Sequence, residues 1–228
     1  MSIATMILGE SGTGKSTSLR NFKPKETLLI QAVKKRMPFR SKEWSYISKD
    51  NPTGNMFHTD DPIRIMEIMA KTSRKIIVID DFQYVMVNEL FAKIDEKGYD
   101  KFTSIAKNAR NILTMANNLA DDKRVYILSH TETETVSEGG RIKIKTIGKM
   151  LDNTLTPEGL ILIVMRTAVT NGQYLFRTQN NGKDTVKTPM DMFNELYIDN
   201  DLAAVDAVIC DFYNLNQQER DIENEFNS

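Results

Sequence analysis

Short runs of consecutive apolar residues recur through the first 130 positions. In the stretches between them, polar residues separate the apolar ones. Continuous runs rich in β-branched residues are typical of strands buried on both faces of a sheet. Four such strands are predicted, at residues 3–8, 27–33, 75–80 and 125–129. Because strands that alternate with helices are joined by right-handed crossovers, we predict an α/β fold with a mainly parallel sheet flanked by helices.

Most of the intervals between these strands carry apolar residues at the spacing of a helix. The predicted helices begin at Pro62 and cover residues 83–97 and 100–119, whereas residues 34–60 follow neither period and are predicted to be irregular. Asp61 or Asp60 can cap the helix at Pro62. Its buried face is predicted to carry Ile63, Met66 and Ala70.

Antiparallel pairing is predicted after residue 130. Gly139-Gly140 suits a two-residue hairpin turn, and Asn171-Gly172 is a strong signal for another. The predicted strands lie within residues 132–147, at 160–168 and at 173–178.

The chain is predicted to end in a helix and a polar tail. A helix over residues 201–215 is expected to bury Leu202, Val205, Ile209 and Phe212. We find no repeat and no linker, and therefore predict one domain over residues 1–216 with a flexible tail over 217–228.

The sequence GESGTGKS, residues 9–16, fits the phosphate-binding pattern G-x-x-x-x-G-K-[ST]. The loop follows a predicted strand and leads into a helix predicted to start at Lys15, the context that this motif requires. Gly12 and Gly14 let backbone N–H groups surround phosphate oxygens where a side chain would clash. The N-terminus of the following helix favours the same anions.

Each position of the loop has a predicted role toward a nucleotide and Mg²⁺. Lys15 is expected to reach the β- and γ-phosphates, Ser16 to ligate Mg²⁺ and Thr17 to contact the α-phosphate. The predicted nucleotide-binding residues are Gly9, Glu10, Ser11, Gly12, Thr13, Gly14, Lys15, Ser16 and Thr17. The guanine-reading pattern [NT]-K-x-D is missing from the sequence, so ATP is favoured over GTP.

Two acidic residues follow the apolar run at 76–79. Asp80 is predicted to hold Mg²⁺, directly or through water, as the acid of a Walker B strand. Asp81 has two open interpretations: it polarises the attacking water, or it caps the helix that begins at Phe82.

His130 ends the fourth predicted strand. In many ATPases with an additional strand, this strand lies between the phosphate-loop strand and the Walker B strand, about 5 Å from each. His130 would then sense the γ-phosphate. The alternative is a histidine exposed at a strand end.

The segment after His130 carries a row of basic residues. Arg141, Lys143 and Lys145 share one face of a predicted strand, and Lys149 follows them. This arrangement is typical of a DNA-contacting arm. It is equally typical of a hairpin that neutralises itself, because a turn at Gly139-Gly140 would place Glu138 opposite Arg141 and Glu134 opposite Lys145.

Charge and composition narrow the class of protein. With a net charge of −1, any DNA contact must be local rather than a property of the whole chain. The single cysteine excludes an internal disulfide and a cysteine metal cluster. We find no signal-peptide pattern and no membrane-length apolar run, so a cytoplasmic protein without membrane contact is expected.

Taken together, these segments resemble a known family. GESGTGKST, IIVIDDFQYVM, GYDKFTSIAKNARNIL, VYILSHTE, GKMLDN and KTPMDMF are similar to the small phage-encoded RecA-like ATPases of the Sak single-strand annealing group. The order VYILSHTE, IKIKTIGKML, YLFRTQNN, VKTP is the more specific part. The resemblance covers nearly the whole chain and implies a RecA-like, AAA-type ATP-binding domain.

The resemblance also implies partners. It implies action on single-stranded DNA in phage recombination or replication, a single-strand-binding protein as partner, and a DNA-binding role for the segment after His130. A RecA-like homo-oligomer would place a basic residue of one subunit in its neighbour's ATP site. Lys187 is the candidate, with Lys183 and Arg177 behind it; the alternative is a solvated lysine before Pro189.

One departure from the RecA-like pattern leaves the catalytic base open. A glutamate is expected just after the second strand, yet residues 31–35 read QAVKK and the next acid is Glu43. Either Asp81 or Glu43 serves as the base, or hydrolysis is slow and ATP acts as a conformational ligand. The leading hypothesis is a DNA-dependent ATPase, and the alternative is a nucleotide-gated DNA-binding or helicase-loader module.

Overall fold

Helices and strands alternate along the first half of the chain, in a computed structural model that describes residues 1–136, 139–147 and 156–215. The strands within these ranges are β1 (Ile3–Leu8), β2 (Thr27–Gln31), β3 (Met56–His58), β4 (Ile76–Asp80), β5 (Arg124–Ser129), β6 (Thr131–Val136), β7 (Gly139–Ile144), β8 (Ile163–Thr170), β9 (Gln173–Arg177) and β10 (Tyr197–Asp199). The α-helices are α1 (Pro62–Lys71), α2 (Phe82–Ala92), α3 (Asp100–Asn117) and α4 (Leu202–Phe212), and short 3₁₀ helices cover Ser16–Asn21 and Pro157–Leu160.

Eight of these strands form one central sheet in the order β10-β9-β8-β1-β5-β4-β2-β3. The six strands from β8 to β3 are parallel, and β9 and β10 extend the sheet by antiparallel pairing. β5 lies between β1 and β4, so the ends of these three strands are neighbours at one edge. The mainly parallel α/β sheet predicted from the apolar runs is therefore confirmed.

Helices cover both faces of the sheet. Helices α1, α2 and α3 pack on one face against alternate residues of the strands, including Met6, Ile79 and Ile127. Helix α4 and the first 3₁₀ helix pack on the other face against residues such as Ile7, Val78 and Leu128. Because both faces are covered, the central strands are apolar along their whole length rather than alternating.

Of the two predicted hairpin turns, one lies where it was predicted and the other does not. Asn171 and Gly172 join β8 to β9 with positive φ angles of 52° and 76°, as the Asn-Gly turn predicts. In the other hairpin the prediction was wrong, because Val136 pairs with Gly139 and both Gly139 and Gly140 lie inside β7. The hydrogen bond from Lys145 N to His130 O closes the open end of this pairing and supports its register.

The predicted buried face of α1 was also wrong. Asp61 caps the helix through bonds to the N–H groups of Ile63 and Arg64, as expected. The buried residues, however, are Pro62, Ile65 and Met69, while Ile63 is 61% exposed and Ala70 is exposed. Pro62 at the first helical position turns inward, so the i, i+3 and i+7 positions from Pro62 face the sheet.

Helix α4 buries a polar residue that the apolar pattern did not indicate. Leu202, Val205 and Ile209 are buried as predicted, but Asp206 and Cys210 share their face. This shift moves Phe212 to the margin of the buried stripe, where it is 39% exposed. The carboxylate of Asp206 accepts bonds from the side chains of Arg124 and Tyr126 and so ties α4 to β5.

Two edge strands were missed because they are only three residues long. β3 lies inside the segment predicted to be irregular, and β10 follows the last predicted strand. The tail at 217–228 and Lys149 lie outside the described residues. No helix in the described part of the chain has the length and apolar character needed to cross a membrane.

Candidate nucleotide-binding site

A cavity of about 390 Å³ opens where β1, β4 and β5 end. Its lining residues come from the glycine-rich loop, from the segment after β2, from the ends of β4 and β5, and from β9. They are Ser11, Gly12, Gly14, Lys15, Ser16, Thr17, Lys35, Arg36, Pro38, Asp81, His130 and Tyr174. The carboxyl ends of parallel strands are where open α/β sheets bind ligands.

The loop backbone adopts the conformation that its glycines permit. Gly12 and Gly14 have φ angles of +78° and +99°, which disfavour residues with a side chain. A Cβ on Gly14 would also lie 3.0 Å from the ring of Tyr174 and 3.1 Å from the amide of Asn200. The loop is thus enclosed by the C-terminal antiparallel strands as well as by its own helix.

Residues from β8 support the base of the loop. Thr13 Oγ1 lies 2.6 Å from Thr167 Oγ1 and donates to Glu10 O, and Thr167 donates to Leu8 O. A Cβ on Gly9 would meet Thr167 Oγ1 at 1.8 Å. Gly9 is therefore required by the close approach of β8.

This contact yields a testable prediction for Gly9→Ala. The added methyl group must displace the loop or Thr167, so we expect ATP affinity to fall about tenfold or more. Thr167→Ala removes the clashing hydroxyl, and the double variant should recover part of the loss, with a coupling energy of about 1–3 kcal/mol. ATP affinity measured by calorimetry on the four proteins checks this, and additive losses would contradict it.

Lys15 folds back over the loop. Its Nζ donates to Gly9 O at 2.7 Å and to Glu10 O at 2.8 Å, and the side chain is buried. Burial lowers the pKa of Lys15 to about 8, against the opposing attraction of Asp81 and Asp80. A buried cation held by only two carbonyl groups is well placed to receive a phosphate oxygen.

The helix predicted to start at Lys15 is present, with Lys15 at its N-cap. It is a short 3₁₀ helix of six residues, Ser16–Asn21. Pro24 follows closely and disfavours helical backbone at the residue before it. Since few peptide dipoles are aligned, backbone N–H groups and Lys15 account for most of the expected attraction for anions.

Ser16 and Asp80 form the candidate Mg²⁺ site. Ser16 Oγ lies 3.1 and 2.9 Å from the two carboxylate oxygens of Asp80, which is fully buried. A hydroxyl and a carboxylate are the hard oxygen donors that Mg²⁺ prefers. The described residues contain no cluster of three or more acidic, histidine or cysteine side chains that could hold a metal, so phosphate oxygens and water would complete the coordination.

A second acidic group lies beside this pair. Burial, followed by the charge of Asp81, raises the pKa of Asp80. Burial alone would also raise the pKa of Asp81, but contacts with His130 and Lys35 outweigh it and hold that pKa below its usual value. Lys35 donates to Asp81 Oδ2 and lies 3.6 Å from Asp80 Oδ2.

The conformation of Asp81 bears on one of its two interpretations, the helix cap. It precedes α2 in a left-handed conformation, with φ 61° and ψ 41°, and its side chain makes no capping hydrogen bond. Its carboxylate contacts Lys35 and His130 instead. Asp81 therefore occupies the cap position of α2 without a side-chain capping bond, and its role toward water stays a prediction. A non-glycine residue in this conformation points to function.

His130 lies at the site as its strand position predicts. Its Nε2 is 3.6 Å from Asp81 Oδ1, and its ring packs edge-on against Tyr84 with centroids 6.1 Å apart. The imidazole thus links the end of β5 to Asp81, and the backbone of His130 pairs with Lys145 at the base of the hairpin.

Other predicted residues lie away from this cavity. Glu43 is exposed, does not line the cavity, and its carbonyl accepts from Asn55. Lys187 is exposed and pairs through its backbone with Val164, which lies opposite Met6, midway along β1. Lys183 is likewise exposed.

Arg177 is held within its own chain. It is buried, donates to Gln179 O and Tyr197 OH, and lies 3.3 Å from Asp184 Oδ2. These contacts disfavour Arg177 as a group that reaches into a neighbouring subunit.

The basic row of the hairpin is partly neutralised. Lys143 lies 3.2 Å from Glu134 and 3.7 Å from Glu132. The register places Arg141 opposite Glu134, rather than opposite Glu138 as predicted. Arg141 and Lys145 are exposed. The structure thus supports the self-neutralised interpretation for Lys143. The DNA-contacting hypothesis stays a prediction for Arg141, Lys145 and Lys149.

Sequence reasoning missed four residues that line the cavity: Lys35, Arg36, Pro38 and Tyr174. Lys35 and Arg36 belong to the QAVKKR stretch, which was considered only for its missing glutamate. Their position after β2, beside the Walker B strand, was the available signal, because adjacent parallel strands end at the same edge.

Comparison of the chain with protein-family models and with curated proteins finds no match. The glycine-rich loop, the Ser16–Asp80 pair and the resemblance of the sequence motifs are the features that bear on function.

Proposed function

We propose that this chain is a RecA-like P-loop ATPase that acts on single-stranded DNA in phage recombination, annealing or replication. The observation that carries the nucleotide part is the convergence of the glycine-rich loop, Lys15 and the Ser16–Asp80 pair in one cavity. The missing guanine-reading pattern favours ATP as the nucleotide. The motif resemblance supports the DNA part, with a single-strand-binding protein as partner in the host cytoplasm.

The chain's own residues supply binding, charge and orientation. Lys15 and the loop N–H groups hold the phosphates, and Ser16 and Asp80 hold Mg²⁺, which when bound neutralises charge on the phosphates. Asp81, ionised and 3.6 Å from His130, accepts a hydrogen bond from the attacking water. Lys35 adds a second positive charge to the lining of the cavity.

We further propose that the active form is a homo-oligomer with ATP at the subunit interface. Lys187 is exposed and lies outside its own chain's cavity, so it is free to serve a neighbouring site. The alternative function is a nucleotide-gated DNA-binding or helicase-loader module with little hydrolysis. Glu43 is exposed and does not line the cavity, which leaves Asp81 as the remaining candidate base. The loss of one of the two candidate bases favours this alternative.

The ATPase rate and the particle mass, measured together with and without single-stranded DNA, test the proposal. We expect single-stranded DNA to stimulate hydrolysis and ATP or DNA to increase the mass. Monomers whose rate and mass respond to neither ligand would contradict the DNA and oligomer parts. Mass changes without turnover would favour the nucleotide-gated alternative.

Asp81→Asn separates chemistry from binding. The variant keeps the size of the side chain but removes the charge that orients water, so we expect hydrolysis to fall by about 10²–10⁴-fold while ATP affinity changes little. Single-turnover hydrolysis and equilibrium ATP binding provide the two measurements. Glu43→Gln is the matched control and should keep full turnover, whereas an active Asp81→Asn variant would exclude Asp81 as the catalytic residue.

A further inference from the structure

A groove of about 680 Å³ adjoins the nucleotide cavity on the side of β2. The segment at 34–46 forms most of it, and Lys35 and Arg36 line both the groove and the nucleotide cavity. We refer to this feature as the 34–46 groove. The proposed ATPase mechanism uses only Lys35 from it.

The 34–46 groove concentrates positive charge in a chain whose net charge is −1. The segment contains five cationic side chains and a single carboxylate, that of Glu43. Lys34 and Arg36, which line the groove, are exposed, and so are Arg40 and Lys42 elsewhere on the same segment. Such a local surplus attracts a polyanion, and it does so without relying on overall charge.

Aromatic rings lie among these charges. Phe39 and Trp44 pack edge-on with centroids 6.2 Å apart, and Lys34 Nζ lies 5.2 Å from the centroid of the Tyr46 ring. All three rings are half-buried, so each is anchored yet presents surface to the groove. Tyr46 is further fixed by its hydroxyl, which donates to Gln31 in β2.

We propose that the 34–46 groove binds single-stranded DNA, with the cationic side chains on the phosphates and Trp44 and Phe39 stacking on bases. This combination of a basic groove with aromatic platforms is how proteins bind single strands without sequence preference. A duplex keeps its base faces stacked inside, so it offers no partner for the rings. The inference rests on the proposed function for its choice of polyanion, and it assigns the DNA to a surface other than the hairpin.

The groove also provides a physical link between DNA and nucleotide. Lys35 contacts Asp81 and Asp80 in the nucleotide cavity and belongs to the same segment as the groove. A strand bound to this segment would change the position of Lys35 relative to the two carboxylates. By linkage, each ligand then changes the affinity of the other by the same factor.

Trp44 makes the proposal directly measurable, because it is the only tryptophan in the chain. Titration of the full chain with oligo-deoxythymidylate should quench the tryptophan fluorescence as the bases stack on it. Fluorescence anisotropy of the same oligonucleotide, carrying a label, gives the affinity independently. Mg²⁺-ATP binding to the same preparation is measured by calorimetry.

Variants separate the groove from other DNA contacts. Lys34→Glu with Arg40→Glu should weaken oligonucleotide binding about tenfold or more and reduce its salt dependence. Trp44→Ala should weaken it roughly 10- to 100-fold. Lys107→Glu with Arg110→Glu, exposed positions on α3 that carry the same charge change on the other face of the sheet, should leave affinity within about twofold.

Quenching together with weaker binding in the groove variants supports the proposal. Oligonucleotide binding that neither quenches Trp44 nor depends on Lys34 and Arg40 would overturn it, yet would leave the proposed function intact through the hairpin. ATP binding without any oligonucleotide binding would overturn both the groove and the DNA part of the proposed function. Quenching that depends on protein concentration alone and does not change when the oligonucleotide is added would assign the groove to a second copy of the chain and would also overturn the proposal.

Discussion

Lys15→Ala is expected to weaken Mg²⁺-ATP binding by about a hundredfold. Hydrogen bonds that involve a charged group are worth about 1.5–3 kcal/mol, and Lys15 is the only loop side chain that can bring a full positive charge to the phosphates. Hydrolysis should fall at least as far, because charge that develops on the transferred phosphoryl group loses the same partner. Calorimetric binding and steady-state hydrolysis check the two effects.

The same substitution should leave the apo protein folded. Burial lowers the pKa of Lys15, so its charged side chain is not expected to be a main source of stability for the fold. We therefore expect the free energy of unfolding to change by no more than about 1 kcal/mol. Lys25→Ala, at an exposed position beyond the same loop, is the matched control and should bind ATP normally. Undiminished ATP binding by Lys15→Ala would refute the assignment of the site.

Asp206→Ala is expected to destabilise the fold by about 3–5 kcal/mol. Asp206 accepts from Arg124 Nε at 3.0 Å, from Arg124 Nη2 at 3.1 Å and from Tyr126 OH at 2.6 Å. All three side chains are buried between α4 and the sheet. Removing the carboxylate leaves a guanidinium and a hydroxyl without their partner in an apolar interior. Equilibrium unfolding in urea measures the loss.

Two further variants test this explanation. Asp211→Ala, an exposed position on the same helix, should change stability by less than about 0.5 kcal/mol. Replacing the whole network, with Asp206→Leu, Arg124→Met and Tyr126→Phe together, should recover most of the lost stability, since an apolar set of similar volume needs no partners. A triple variant as unstable as Asp206→Ala would show that the network has another role.

The local elements were predictable because their signals are local. The apolar runs identified the central strands, and the loop motif was recognisable from eight consecutive residues. Faces of helices were harder to predict, since the inward turn of Pro62 and the polar anchor of Asp206 depend on what each helix packs against. The hairpin register failed for the same reason: two glycines favour a turn, yet pairing along the strands and the contact between Lys145 and His130 fit another register.

By itself, the sequence determined the glycine-rich loop motif, the candidate pair Ser16 and Asp80, and the alternation that builds a parallel sheet, because each depends on neighbours in the chain. Tertiary structure decided which other side chains share the cavity, in agreement with the predicted position of His130 and beyond prediction for Lys35. β5 lies between β1 and β4, so His130 reaches Asp81, and β2 lies beside β4, so Lys35 reaches both carboxylates. Strand order is set by packing across the whole sheet, and no local pattern of residues specifies it.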